Sequence, residues 1–390
     1  MRIALMVSGF DGGGVERTLS QLAAGLGGLG AAVDLWVDAP AHPFTQGLGA
    51  GVQVHDLRSP PARDPQSHRI ATLVAYLQRV RPHVLMTGKL RDDRTALAAR
   101  AGSGAGTRLV TTVGTPLSAS LRANHLNPWR RHRARQRIRA DYAQLDGISA
   151  VSAAVAADLR RHFGVTEVPL RVMCNPVVPA GIAAAAAAPC PHPWLAAGAP
   201  PAIIAVGGLR RVKDFPTLLR AFARLSPAFG GRLLILGEGR QRLRLERLVR
   251  RLGLAGRVAL PGFIAAPLPW IARARLLVLT SRREGLGNVL IEAMALGRPV
   301  VATDCPGGVR DLLADGRLGP LVPVGDTAAL ARAMAAVLAA PPASTALIAA
   351  VAPYEIETAA RAYLDFFTSL AESELDGSQA SASLVSVAIG

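Results

Sequence analysis

Glu284 and Glu292 stand eight positions apart in a segment, Ser281 to Val301, that reads as turn, helix and strand following an apolar run. The turn carries Gly285 and Gly287, the helix is expected to begin near Asn288, and Gly297 suits the position just past its end. A helix start presents backbone amides without internal partners and the positive end of the macrodipole, and glycines let a ligand approach the backbone closely. Together these features make a phosphate site. Glu284 falls on the loop outside the helix, with Glu292 about 6 Å along the axis from the helix start, at 1.5 Å per residue. One carboxylate can accept hydrogen bonds from sugar hydroxyls at the helix tip. The other can reach a ribose diol beside the first turns, and such charge-assisted bonds are the strong kind. The bland reading of the same spacing is an ordinary strand–loop–helix with two solvated glutamates.

The elements that must hold this segment recur along the chain. In the first half, short apolar runs rich in β-branched residues occur at Ile3–Val7, Val33–Val37, His83–Met86, Leu109–Val113 and Ile148–Val151. Between several of them lie stretches of helical spacing, such as Val15 to Leu26 with Val15, Leu19, Leu22, Ala23 and Leu26 on one face. A proline- and alanine-rich stretch then breaks the pattern. The alternation restarts with strands expected at Ala202–Val206, Arg232–Leu236, Arg257–Leu260, Leu276–Thr280 and Pro299–Ala302, and helices at Phe215–Leu225, Gln241–Leu252, Asn288–Leu296 and Thr327–Leu338. Alternating strands and helices imply α/β architecture with parallel sheets covered on both faces. The division expected is a first domain over 1–178, a linker over 179–201, a second domain over 202–350, an amphipathic helix over 351–372 crossing back to the first domain, and a disordered tail over 373–390. Two doubly wound sheets facing each other leave a cleft, and ligands gather outside the carboxyl ends of such strands.

The Ser281–Val301 segment resembles the E-x7-E motif of family-4 retaining glycosyltransferases, which have the GT-B fold of two Rossmann-like domains facing across a cleft. Other segments match in order. Ile204 to Leu209 with Lys213-Asp214-Phe215-Pro216 resembles the strand and phosphate loop that open the family's second domain. Leu236-Gly237-Glu238-Gly239, Pro261 to Ile264, Thr303 to Gly308 and Leu321 to Asp326 resemble its later segments. In the first half, Asp11 to Arg17, Ile148 to Ser152 and Cys174-Asn175-Pro176 match, so the resemblance covers residues 1 to 340 or so.

The resemblance implies roles. Glu284 would hold the hydroxyls of a donor sugar and Glu292 the ribose, with Gly285, Leu286, Gly287, Asn288 and Val289 at the diphosphate. Lys213 would neutralise the departing phosphates, helped by Arg210 or Arg211, with Gly13 and Gly14 approaching from the opposite domain. Gly237 and Gly239 would line the turn and Phe263 the base. Glu16, Arg17 and Thr115 would face the acceptor. Catalysis would then be mainly electrostatic, with cations and amide dipoles stabilising a leaving nucleoside diphosphate. No cofactor or metal is required in this picture, and the chain has no DxD carboxylate pair. Retention would come from same-face attack, the donor phosphate taking the acceptor proton. Two positions depart from the pattern. Gly208 stands where the family usually has an arginine, and Gly114 where many members have a histidine, leaving His83 and His125 as the substitutes considered.

Composition bounds the partners. The chain has 390 residues and a formal charge of +17, from 44 Lys plus Arg against 27 Asp plus Glu. That imbalance favours an anionic partner, although an arginine-, alanine- and glycine-rich composition also arises without selection for binding. Cys174, Cys190 and Cys305 are too few and too scattered for a disulfide framework or a zinc site, which fits a reducing compartment. No apolar run is long enough for a membrane span, and the N-terminus reads as a first strand, so a cytoplasmic location is expected. Six arginines fall between Asn127 and Arg139, beside Trp129. Trp129, Arg130, Arg131 and Arg133 on a helix suit an anionic membrane face, hence a peripheral protein at the inner face of the cell membrane acting on a saccharide or lipid-linked acceptor. No nucleic-acid motif appears. A non-catalytic membrane- or nucleic-acid-binding protein on the same fold, and a sugar-nucleotide epimerase or phosphorylase, are the alternatives to a transferase.

Overall fold

The computed structural model describes residues 1–9, 13–58, 64–124, 126–225 and 229–386, the side chains of 373–386 excepted. Seven parallel strands form the first sheet: β1 (Arg2–Val7), β2 (Ala32–Val37), β3 (Val52–Asp56), β4 (Val84–Thr87), β5 (Arg108–Val113), β6 (Gly147–Ala150) and β7 (Leu170–Val172), in the order β3-β2-β1-β4-β5-β6-β7. Six more form the second: β8 (Ala202–Val206), β9 (Arg232–Leu236), β10 (Val258–Gly262), β11 (Leu276–Leu279), β12 (Val300–Asp304) and β13 (Leu321–Pro323), in the order β10-β9-β8-β11-β12-β13. The central strands are buried on both faces, as parallel strands between helix layers must be, and so appear as unbroken apolar runs. The edge strands β3, β7 and β13 carry polar or exposed residues and are short, so no apolar run announces them.

Strand order reverses between β1 and β4 in one sheet and between β8 and β11 in the other. A crevice opens outside the carboxyl ends at such a reversal, because the flanking connections leave on opposite faces. The two sheets turn these ends toward one another. The Gly14–Gly28 helix that follows β1 buries Leu19, Leu22, Ala23 and Leu26 in one cluster with Ile3, Leu5 and Val7. Val151 and Leu286 belong to another buried cluster that includes residues of both sheets.

The 179–201 linker contains a short helix, Ile182–Ala187, where no periodic element was expected. Alanine is the strongest helix former, and Arg273 Nη1 donates to the Ala186 carbonyl oxygen at 3.1 Å, fixing this turn on the second domain. The last helix spans Ile356–Ser386. Ala360, Tyr363, Phe366 and Phe367 lie in the core of the first domain. The helix continues across 373–386, where disorder was expected; that stretch has no proline and a single glycine, so nothing in it stops a helix already begun. The two interdomain crossings are bridged, since Val178 and Glu355 pair in parallel and Ile356 N donates to the Val178 carbonyl oxygen at 2.9 Å.

Candidate active site

A cavity of about 510 Å³ lies between the domains. Its walls come from the loops after β1, β2, β5, β6, β7, β8, β9, β10 and β11, all at carboxyl ends of strands. Two helix N-termini meet there. The Gly14–Gly28 helix begins at Gly13, and the Asn288–Ala295 helix begins at Gly287; neither start is capped by a side chain. Gly13, Gly14, Gly287, Asn288 and Val289 all line the cavity. Gly287 has φ +85°, a left-handed conformation that sets the chain entering the helix and that a side chain would strain. Amides without internal partners and two positive dipole ends therefore converge on one space.

The charged residues are placed by linked loops. Lys213 Nζ donates to Glu284 Oε2 at 2.7 Å, and Ser281 Oγ donates to the same oxygen at 2.8 Å. The two loops are tied at their bases, where Thr280 Oγ1 donates to the Lys213 carbonyl oxygen at 2.7 Å and Arg282 N to that of Val212 at 2.8 Å. Glu284 N donates to the Pro306 carbonyl oxygen at 3.1 Å and Gly308 N to that of Gly285 at 2.6 Å, so the turn after β12 buttresses the glutamate loop. Glu292 is buried, 2% exposed, and ion-paired across the domain boundary, with Arg17 Nη2 2.5 Å from its Oε1. Burial pushes its pKa above the ordinary carboxylate value, with the Arg17 charge pulling the other way. Asn288 is a second tether. Its Nδ2 donates to Thr18 Oγ1 at 3.1 Å, and its Oδ1 accepts from Asn175 Nδ2 at 2.8 Å.

Not every residue singled out from the sequence reaches the cavity. Glu284, Glu292, Lys213, Gly13, Gly14, Arg210, Gly237, Phe263, Leu286, Gly287, Asn288 and Val289 do, as do Arg17 and Thr115. Glu16 does not line it; this buried carboxylate is ion-paired with Lys89, whose Nζ also donates to the Ser8 and Gly9 carbonyl oxygens at 2.7 and 3.0 Å. Gly239 stands behind the wall against the Leu209 backbone. Gly285 is buried at the domain contact, where a Cβ would fall inside the van der Waals sphere of the Gly114 carbonyl oxygen. Arg211 faces a separate depression. Arg17, expected to face the acceptor, lines the cavity and is the partner of Glu292.

The geometry also addresses the two departures. Arg210 lies over Gly208, its Nε 3.5 Å from where a Gly208 Cβ would stand, and both line the cavity. Arg210, two residues on, thus places its side chain on the wall beside Gly208. His83 is at the far, amino end of β4, where its Nδ1 accepts from Arg2 N at 3.1 Å, so it is no substitute for a histidine at Gly114. His125 lies outside the described residues.

Sequence reasoning missed Phe44 and Thr18 and left Asn175 without a role, although it quoted the Cys174-Asn175-Pro176 segment. Phe44 stands on the first domain with its ring 6.3 Å from Phe263 of the second, and Arg17 lies 6.0 Å from the Phe44 ring centroid. A lone phenylalanine in a loop carries no local signal of this kind. Among the described residues, no group of three or more His, Cys, Asp and Glu could hold a metal ion. The basic helix Pro128–Tyr142 is capped by Asn127 and buries only Ile138 and Tyr142. Leu126, just before the helix, and Trp129, in its first turn, are 92% and 77% exposed. Arg130 and Arg133 are exposed and Arg131 is half-buried.

Known proteins carry the same two parts. A Glycosyltransferase Family 4 model matches residues 12–180 and a Glycosyl transferases group 1 model matches residues 200–340. The chain belongs to the group 1 and Family 4 glycosyltransferases. Its two facing parallel-sheet domains are the GT-B fold: HepE of Anabaena, solved in complex with UDP-glucose, superposes with a TM-score of 0.77 at 20% identity, covering 95% of this chain and 100% of that one. Among curated glycosyltransferases, the lipopolysaccharide core biosynthesis enzyme LpsE of Rhizobium meliloti is 36% identical over 139 residues, 36% of this chain and 40% of its own. The N-acetylgalactosamine-N,N'-diacetylbacillosaminyl-diphospho-undecaprenol 4-alpha-N-acetylgalactosaminyltransferase of Campylobacter jejuni is 39% identical over 122 residues, 31% of this chain and 33% of its own. The aligned stretches thus span about a third to two-fifths of these relatives' length.

Proposed function

We propose that this glycosyltransferase moves a sugar from a nucleoside-diphosphate sugar to a saccharide or lipid-linked acceptor in cell-surface polysaccharide or glycolipid assembly, with retention of anomeric configuration. One observation carries the reading: two uncapped helix N-termini from opposite domains, Lys213, and both glutamates converge on one interdomain cavity. A diphosphate at the amides of Asn288 and Val289 would face Gly13 and Gly14. Its ribose would reach Glu292, its base Phe263, and the sugar hydroxyls Glu284. As the glycosidic bond breaks, negative charge grows on the leaving diphosphate, where Lys213, Arg210 and the amide dipoles stabilise it. The acceptor attacks the same face and gives its proton to the departing phosphate oxygen. No metal or other cofactor enters this scheme. The exposed Leu126 and Trp129 beside the arginines of the Pro128–Tyr142 helix support docking on an anionic membrane face, and with it a peripheral location at the inner face of the cell membrane.

A thermal-shift screen against UDP, GDP and ADP tests the donor site, since a ligand bound at 100 times its Kd stabilises by about 2.7 kcal/mol. One nucleotide is expected to raise Tm by several degrees. With the donor class identified, K213A should lower donor turnover by about 100-fold or more, in line with the loss of one preorganised group at developing charge. A protein that binds no nucleoside diphosphate, or a K213A variant that turns over like the parent, would defeat the proposal.

A further inference from the structure

A second cavity, about 630 Å³, opens on the other side of the loop that carries Lys213. Arginines reach it from four elements: Arg210 and Arg211 from the loop after β8, Arg220 from the Phe215–Arg224 helix, Arg244 from the Arg242–Arg251 helix, and Arg282 and Arg283 from the loop after β11. One carboxylate, Asp214, shares the lining, and it is already engaged, pairing with Arg282 Nη2 at 3.0 Å and accepting from Thr217 Oγ1 at 3.0 Å. Arg211, Arg220, Arg244 and Arg283 have no ion pair among the described residues. The arginine excess of the whole chain, 44 cationic against 27 anionic side chains, does not account for six against one in a single depression. Like charges brought together from separate elements repel, and a bound anion removes that repulsion. The guanidinium fork also matches phosphoryl oxygens two at a time. Ala123 closes the cavity from the first domain, just ahead of the exposed Leu126 and Trp129, so the site opens at the domain boundary near the basic helix.

We propose that this arginine-lined cavity is a second phosphoryl-group site, adjoining the donor cavity and sharing Arg210 with it, that takes a diphosphate ester or free pyrophosphate. Two sources share that chemistry: the diphosphate of a carrier-linked acceptor, and a soluble anion that regulates the enzyme. The site itself does not depend on the transferase reading.

The test is calorimetric titration of the full chain with pyrophosphate at low salt, with the donor cavity saturated by the nucleoside diphosphate found in the thermal-shift screen. Should that screen find none, K213A serves as the background in place of saturation. The parent is expected to bind pyrophosphate under this block. R220Q/R244Q is expected to bind it at least ten-fold more weakly, with unchanged nucleoside-diphosphate affinity and a Tm no lower than the parent's in the absence of anion. R244E, as a second variant, should weaken it at least as much. Transfer assays then identify the source. If the carrier acceptor is the ligand, R220Q/R244Q raises KM for a diphosphate-linked acceptor and leaves a neutral glycoside acceptor unaffected. If a free anion is the ligand, added pyrophosphate changes the parent's rate on both acceptors and not the variant's. No pyrophosphate binding under the donor block, or equal binding by the parent and both variants, overturns the proposal, and the nucleoside-diphosphate titration reports separately on the donor site.

Discussion

Replacing Glu292 by glutamine removes a charge and keeps the shape, which makes it a clean probe of the donor site. In the parent the carboxylate is 2% exposed and faces Arg17 at 2.5 Å, and burial holds its pKa above the ordinary value. A ribose diol bound here donates two charge-assisted hydrogen bonds, each worth about 1.5–3 kcal/mol net. Glutamine keeps one neutral acceptor worth roughly 1 kcal/mol, so E292Q should lose about 2–5 kcal/mol of nucleoside-diphosphate binding, or roughly 30-fold to several thousand-fold in Kd. Stability should change little by comparison. The variant loses the attraction to Arg17 but no longer buries an ion, and Arg17, 26% exposed, keeps contact with water. The pH profile gives a second reading. Hydroxyl donors favour the ionised carboxylate, so parental affinity is complete above the raised pKa of Glu292 and falls as pH drops through it; E292Q should be flat over that window. Calorimetric titration with the selected nucleotide between pH 5 and pH 8, together with Tm of both proteins, decides the matter. An E292Q variant that binds within twofold of the parent at every pH would refute the assignment of Glu292 to the ribose.

Three further outcomes follow from the geometry. G285A puts a methyl group into the Gly114 carbonyl, a backbone atom that cannot turn aside, so unfolding should ease by about 3 kcal/mol, at the upper end of overpacking costs, and nucleotide affinity should fall with it; an unchanged Tm would show that the domain contact is not as close as described. Asp93 is wholly buried and burial lifts its pKa from 3.8 to about 7, with Thr87 and Thr111 donating to Oδ1; the folded state therefore holds its proton where the unfolded state releases it, and stability falls as pH rises from about 4 to about 7. D93N escapes that loss of up to roughly 4 kcal/mol, so its Tm relative to the parent should climb between pH 4.5 and pH 8, and a constant difference would contradict this. In vesicle flotation, the parent should float with anionic but not zwitterionic vesicles, and W129S/R130Q/R133Q should float several-fold less; equal recovery would remove the membrane face from the proposal.

The architecture was legible because its signal is local. Central parallel strands are buried on both faces and so appear as apolar runs, and the helices between them repeat at 3.6 residues. The edge strands β3 and β7 carry polar or exposed residues, and β13 is only three residues long, so the same rule passes over them. The second-domain motif was legible for a related reason, since Glu284, Gly287, Asn288 and Glu292 belong to one continuous turn and helix. Interdomain partners are a different matter. Asn175 and Thr18 meet Asn288 from 113 and 270 residues away, and Phe44 meets Phe263 across the cleft. No spacing rule encodes such pairs, because they depend on how two independent sheets are set against each other. Arg17 illustrates the cost: its motif is visible in the sequence, but its pairing with Glu292 across the domain boundary is not.

The charge arrangement in the cavity suggests how donor recognition is ordered. Lys213 and Glu284 neutralise each other, and Arg17 and Glu292 do the same, so the four side chains together present little net charge to an incoming anion. For the proposed diphosphate, the standing attraction would come instead from the two helix N-termini and from Arg210 above Gly208, features already in place. Phosphate oxygens in that position would compete with Glu284 for the Lys213 ammonium, a compact charge on a flexible stem that can turn from one acceptor to another. On the proposed reading, Glu284 Oε1, which neither Lys213 nor Ser281 engages, would take the sugar hydroxyls while Ser281 holds Oε2. On that reading, the lysine that meets the phosphate also fixes the carboxylate that meets the sugar, so loss of Lys213 would disturb both.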